Sequence, residues 1–152
     1  MCERLREAPA ISIDAEWEAP TRAGGRPGKV AMVQLATPSK AYVVNLFKLG
    51  GVPPTLCALL GSNSIQKVGL NVKGDLTRLH KDWELKVSEP IIDLGTLMNQ
   101  TFSLNTRWSL AKLLEVVAKQ KLDKDLGGGG RFIRWETVSM FDLSGKPTAA
   151  LR

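Results

Sequence analysis

Residues 11–17, Ile-Ser-Ile-Asp-Ala-Glu-Trp, alternate apolar and polar side chains and set two carboxylates two positions apart. A strand repeats every two residues, so Ile11, Ile13 and Ala15 share one face while Ser12, Asp14 and Glu16 share the other. Two like charges side by side on a sheet repel each other unless a cation stands between them. Asp14 and Glu16 are therefore candidates for holding a divalent metal.

A chain of 152 residues is long enough to bury an ordinary core as one domain without staples. With 24% charged and 43% hydrophobic residues it has the composition of a globular protein and not of a disordered one. No apolar run approaches the roughly 18–20 residues that span a bilayer. Residues 1–7 are charged throughout and lack the apolar segment of a secretory signal, so nucleus or cytoplasm is expected and secretion is not. Cys2 and Cys57 form no metal-ligand spacing; Cys57 is expected as a small core residue and Cys2 as an exposed thiol. The net charge of +6 suits a polyanionic partner, although a solvated basic surface would carry it equally well. Lys67, Lys73, Arg78, Lys81 and Lys86 cluster in one span, and Arg107, Lys112, Lys119 and Lys121 in another.

Residues 30–36 and 41–46 are predicted as a second and third strand, paired as a hairpin across Pro38-Ser39-Lys40. Pro53-Pro54 opens a helix over 55–60. Residues 66–70 form a short buried strand, and the apolar spacing at 72, 76, 79 and 83 predicts an amphipathic helix. A fifth strand over 90–94 runs into a helix over 94–98, and residues 109–117 form another helix. Gly127–Gly130 has no periodicity and is expected as a flexible linker. A hairpin meander followed by alternating strands and helices predicts a mixed sheet with helices on both faces. His80, the one histidine, is expected near the end of its helix as a solvated residue, and no serine or cysteine stands with the partners nucleophilic catalysis needs.

Six segments occur in the order seen in one known family: Asp14-Ala15-Glu16-Trp17, Gln34-Leu35-Ala36, residues 67–76 (Lys-Val-Gly-Leu-Asn-Val-Lys-Gly-Asp-Leu), Asp93-Leu94, residues 109–113 (Ser-Leu-Ala-Lys-Leu), and Leu122-Asp123-Lys124-Asp125. Over roughly residues 10 to 136 the chain resembles the DEDD-type 3′–5′ exonucleases, in particular the Werner-syndrome and RNase D branch. The resemblance implies a ribonuclease-H-like α/β fold with a five-stranded mixed sheet. It implies one domain over 1–152, with an N-terminal tail at 1–9 and a divergent C-terminal segment at 127–152. It also implies two Mg²⁺ or Mn²⁺ ions held by carboxylates, which suit such hard cations. In that pattern Asp14 bridges the metals, Glu16 holds the first and Asp75 reaches the second. The implied partner is nucleic acid, single-stranded or at the 3′ end of DNA or RNA. Trp17, Asn71, Lys73 and Arg78 are its candidate contacts, with a core role for Trp17 and a helix cap for Asn71 as the structural alternatives.

The family's last motif places an aspartate four residues after a tyrosine. Here Thr148 stands at the tyrosine position and Arg152 at the aspartate position, with Pro147 before them. An arginine there removes an anionic ligand and adds a charge that repels a metal ion. Asp142 lies too early for the usual register. The expectation is impaired hydrolysis, or alternatively a catalytically inactive module that grips nucleic acid without cutting it.

Overall fold

The computed structural model of the protein describes residues 5–20 and 24–122. Five strands, β1 (Ala10–Trp17), β2 (Val30–Thr37), β3 (Lys40–Asn45), β4 (Gln66–Gly69) and β5 (Ile91–Asp93), form one sheet in the order β3-β2-β1-β4-β5. The acid-bearing strand β1 is central. It pairs antiparallel with β2 and parallel with β4; β2 and β3 form the hairpin, and β4 and β5 run parallel. Thr37 pairs with Lys40, so Pro38 and Ser39 make the turn.

The expected alternation sets the layers. Ile11, Ile13 and Ala15 are buried against α1 (Pro54–Leu60) and α2 (Val72–Trp83), while Ser12 and Asp14 are exposed on the other face. Leu56, Leu59 and Leu60 of α1 meet Val72, Leu76 and Leu79 of α2 in the same core. Each such side chain contributes about 1.5–3 kcal/mol when fully buried. Helices thus cover one face, and on the other Leu94 of α3 (Leu94–Phe102) and Leu110 of α4 (Leu110–Leu113) flank the sheet.

Several sequence expectations change in the folded chain. The i, i+3, i+4 spacing of the α1 leucines turns Cys57 outward, so it is exposed and not a core residue. Lys67 leaves the basic cluster: it pairs laterally with Ile11 and Ile91 on the core side, is fully buried, and donates its amine to the Ser62 carbonyl. Burial pushes its pKa down, and nearby Glu89 opposes the shift. The helix starting at Leu94 runs on to Phe102, because the Asn99 side chain grips both the N–H and the carbonyl of Thr106 and so holds the chain reversal beyond it. The helix expected over 109–117 is α-helical only over Leu110–Leu113 and widens to a π turn over Leu114–Ala118. Val116 and Val117 are exposed there and give the turn no buried face to hold an α register. Cys2, Asp123, Asp125, Gly127–Gly130, Asp142, Thr148 and Arg152 lie outside the described residues.

Candidate active site

On the open face of the sheet, lateral pairing sets Asp14 beside Gln34, Ser12 beside Ala36 and Val68, and Gln34 beside Val43. These residues floor a groove of about 450 Å³ that Leu70, Leu94 and Leu110 border. Asp14 is part of that floor, so a carboxylate stands in an otherwise mostly apolar depression.

The third acid comes from a helix. Asp75 lies in the first turn of α2, which starts directly after β4, the parallel neighbour of β1. Gly69 makes this close approach possible: a Cβ there would sit 2.8 Å from the Ile13 carbonyl oxygen and 2.9 Å from the Val72 Cβ. Asn71 occupies the cap position of α2 with a left-handed φ of 59°, but its side chain makes no capping bond. Asp93 does that work from the end of β5. Its Oδ2 accepts from Val72 N at 3.1 Å and its Oδ1 from Thr96 N at 2.9 Å, so one carboxylate starts both α2 and α3. An Asp directly before Leu94 is a local signal that could have revealed the second cap, although it does not figure among the sequence expectations; the first cap joins residues 21 positions apart and has no local signal.

Electrostatically the three acids form a group. Asp75, 9% exposed, has its pKa pushed up to about 7, first by burial and then by the charges of Asp14 and Glu16. Glu16 is raised too, by burial and then by Asp14. Among the described residues none of the three is in an ion pair. The described residues also contain no three Asp, Glu, His or Cys side chains close enough to form a ready-made metal cage. The acids sense one another without converging to ligand distance. Their donor set is all carboxylate oxygen, and their mutual repulsion is what a divalent cation would relieve, so the residues present fit Mg²⁺ or Mn²⁺.

The candidate nucleic-acid residues divide. Asn71 and Lys73 are exposed beside Asp75 on the first turn of α2. Trp17 is half-buried against the core, with the Arg78 guanidinium 5.3 Å from its ring centroid. Arg78 is bound within its own chain: Nε donates to Asp82 at 2.7 Å, and a terminal nitrogen donates to the carbonyls of Pro27, at 3.2 Å, and Gly28. Asp82, which the sequence did not single out, also accepts from Val30 N at 3.0 Å.

The family model for 3′–5′ exonuclease domains matches residues 1–129, and the chain belongs to that family. A 3′–5′ exonuclease of Drosophila virilis is 34% identical over 135 residues, which cover 86% of this chain and 40% of that protein. The Drosophila melanogaster protein described by the same words is 32% identical over 139 residues, covering 88% and 38%. The chain therefore spans about 40% of the length of the curated relatives it matches. Among solved structures it is similar to the Aedes aegypti Nibbler EXO domain (TM-score 0.68, 20% identity, 88% of this chain and 70% of that one), which bears on the fold alone. It is also similar to Escherichia coli RNase D, an exoribonuclease involved in structured RNA processing (TM-score 0.67, 26% identity, 88% and 34%). The five-stranded mixed α/β sheet is the fold of these exonuclease domains.

Proposed function

We propose that this chain carries a metal-dependent 3′–5′ exonuclease site of the DEDD kind, in which Asp14, Glu16 and Asp75 hold Mg²⁺ or Mn²⁺ and the 3′ end of a DNA or RNA strand is the substrate. The observation that carries the reading is the acid trio, with Asp75 raised to about 7 by burial and by Asp14 and Glu16. Bound there, two divalent ions supply an activated water and neutralise charge on the phosphate being cleaved. The chain's own residues do the rest. Asp14 faces the groove where a terminal nucleotide would lie, and the apolar borders Leu70, Leu94 and Leu110 would exclude water from its base or sugar. Exposed Lys73, in the same helical turn as Asp75, supplies a cation for an adjacent phosphate. RNA as the substrate has support in the likeness to E. coli RNase D, an exoribonuclease, and to an EXD2 exonuclease domain soaked in Mg and GMP.

In the register read from the sequence, Thr148 and Arg152 take the positions of the family's tyrosine and fourth acid, and from that departure we infer that hydrolysis by this chain is weak or absent. That same departure supports the second reading, a pseudo-exonuclease that binds strands without cutting them. The test uses single strands labelled at the 5′ or the 3′ end, with Mg²⁺, Mn²⁺ or EDTA. Slow, metal-dependent shortening from the 3′ end, lost in Asp14→Ala, supports the enzyme. Salt-sensitive binding that survives both EDTA and Asp14→Ala, with no shortening, supports the binding module.

A further inference from the structure

We infer that Arg78 is a positioning residue of this site: it fastens the connection that leaves the acid strand to the helix that carries Asp75. The inference rests on the exonuclease reading above. Asp75, Arg78 and Asp82 follow one stripe of α2 at i, i+3 and i+7. Arg78 uses its plane in four ways. Nε meets Asp82, a terminal nitrogen meets the carbonyls of both Pro27 and Gly28, and the guanidinium lies against the Trp17 ring.

Those contacts bracket a single stretch of chain. Trp17 directly follows Glu16, and Pro27-Gly28 returns to β2; Gly28 N also donates to the Glu18 carbonyl at 3.0 Å, closing the two ends on each other. Asp82 extends the fastening to Val30 N, and Trp83 Nε1 donates to the Val30 carbonyl at 2.7 Å. Glu16 lies on β1 and Asp75 on α2, so the spacing between them depends on how these two elements are joined. Arg78 spans them within one helical turn of Asp75. The site gains a fixed spacing between Glu16 and Asp75, a requirement for metal binding by residues from different elements.

Lysine cannot replace this arrangement, because one ammonium lacks the planar fork that bonds two carbonyls and a carboxylate while lying on an indole. That separates positioning from simple charge and from a direct phosphate contact. On the full chain, Mn²⁺ is titrated calorimetrically into wild type, Arg78→Ala and Arg78→Lys. Amide exchange of residues 17–20 and 24–28 is followed without metal, and affinity for a short single-stranded oligonucleotide is measured in EDTA.

Both variants should bind Mn²⁺ about tenfold more weakly, as loss of an outer-shell support does. They should exchange faster over those residues and keep their oligonucleotide affinity within about twofold. Arg78→Lys preserves the charge and stem, and carries the test if Arg78→Ala does not fold. Wild-type Mn²⁺ affinity in Arg78→Lys, or a lowered melting temperature with unchanged Mn²⁺ affinity, overturns the inference. A marked loss of oligonucleotide affinity would overturn it as well, returning Arg78 to a phosphate contact. If wild type itself binds no Mn²⁺, the exonuclease reading fails first and this inference falls with it.

Discussion

Replacing Asp75 by asparagine should stabilise the metal-free protein at pH 8. The folded chain holds this carboxyl at about 7 against an ordinary value of 3.8. A raised folded-state pKa means that the folded protein holds the proton more tightly than the unfolded one. The associated stability is fully present below 3.8 and is lost as pH rises through about 7. At about 1.4 kcal/mol per pKa unit, the full loss at pH 8 is about 4 kcal/mol. Solvent at the rim of the site and small movements of Asp14 and Glu16 recover part of it, so we expect about 2 kcal/mol, half that ceiling. The substituted amide cannot ionise and has the shape of the protonated acid. In EDTA at pH 8, Asp75→Asn should therefore melt about 4–8 °C above wild type, and the two should converge near pH 4. Adding Mn²⁺ should raise the wild-type melting temperature at pH 8 and raise that of the variant less. A variant that melts at or below wild type at pH 8, or a gap that does not change with pH, would refute the claim that burial and the neighbouring carboxylates disfavour the ionised form of Asp75 in the folded state.

Gly69→Ala should cost about 1–3 kcal/mol, because the new methyl meets backbone and β-branched carbon at under 3 Å; denaturant unfolding within about 0.5 kcal/mol of wild type would contradict that close approach. Asp93→Ala removes the caps of two helices at once and should lower stability by about 2 kcal/mol, with faster amide exchange at both Val72 and Thr96; slow exchange at either would show that the cap is dispensable. Lys67→Met should raise stability near pH 7 by about 1 kcal/mol, since it removes a buried charge. Because burial lowers the Lys67 pKa, that gain should shrink as pH climbs towards 10.5, and denaturant titrations at pH 7 and pH 10 would expose a gain that does not shrink.

The strand bearing Asp14 and Glu16 was legible because period-2 alternation is a local property: the same seven residues specify their conformation, their buried face and their acid face. The hairpin at Pro38-Ser39 and the helix over Val72–Trp83 were legible for the same reason. Long-range contacts decided what remained. Lys67 looks like any surface lysine until β4 is inserted between β1 and β5, and Cys57 looks apolar until α1 chooses which side it buries. Arg78 invites a reading as a phosphate ligand until residues about fifty positions away take its donors.

The chain's own order of residues determined which acids are available and that two of them share one sheet face. Only the tertiary structure decided that Asp75 stands near enough to that pair for its proton affinity to change. Coulombic coupling and desolvation depend on distance and burial in space, and separation along a chain specifies neither.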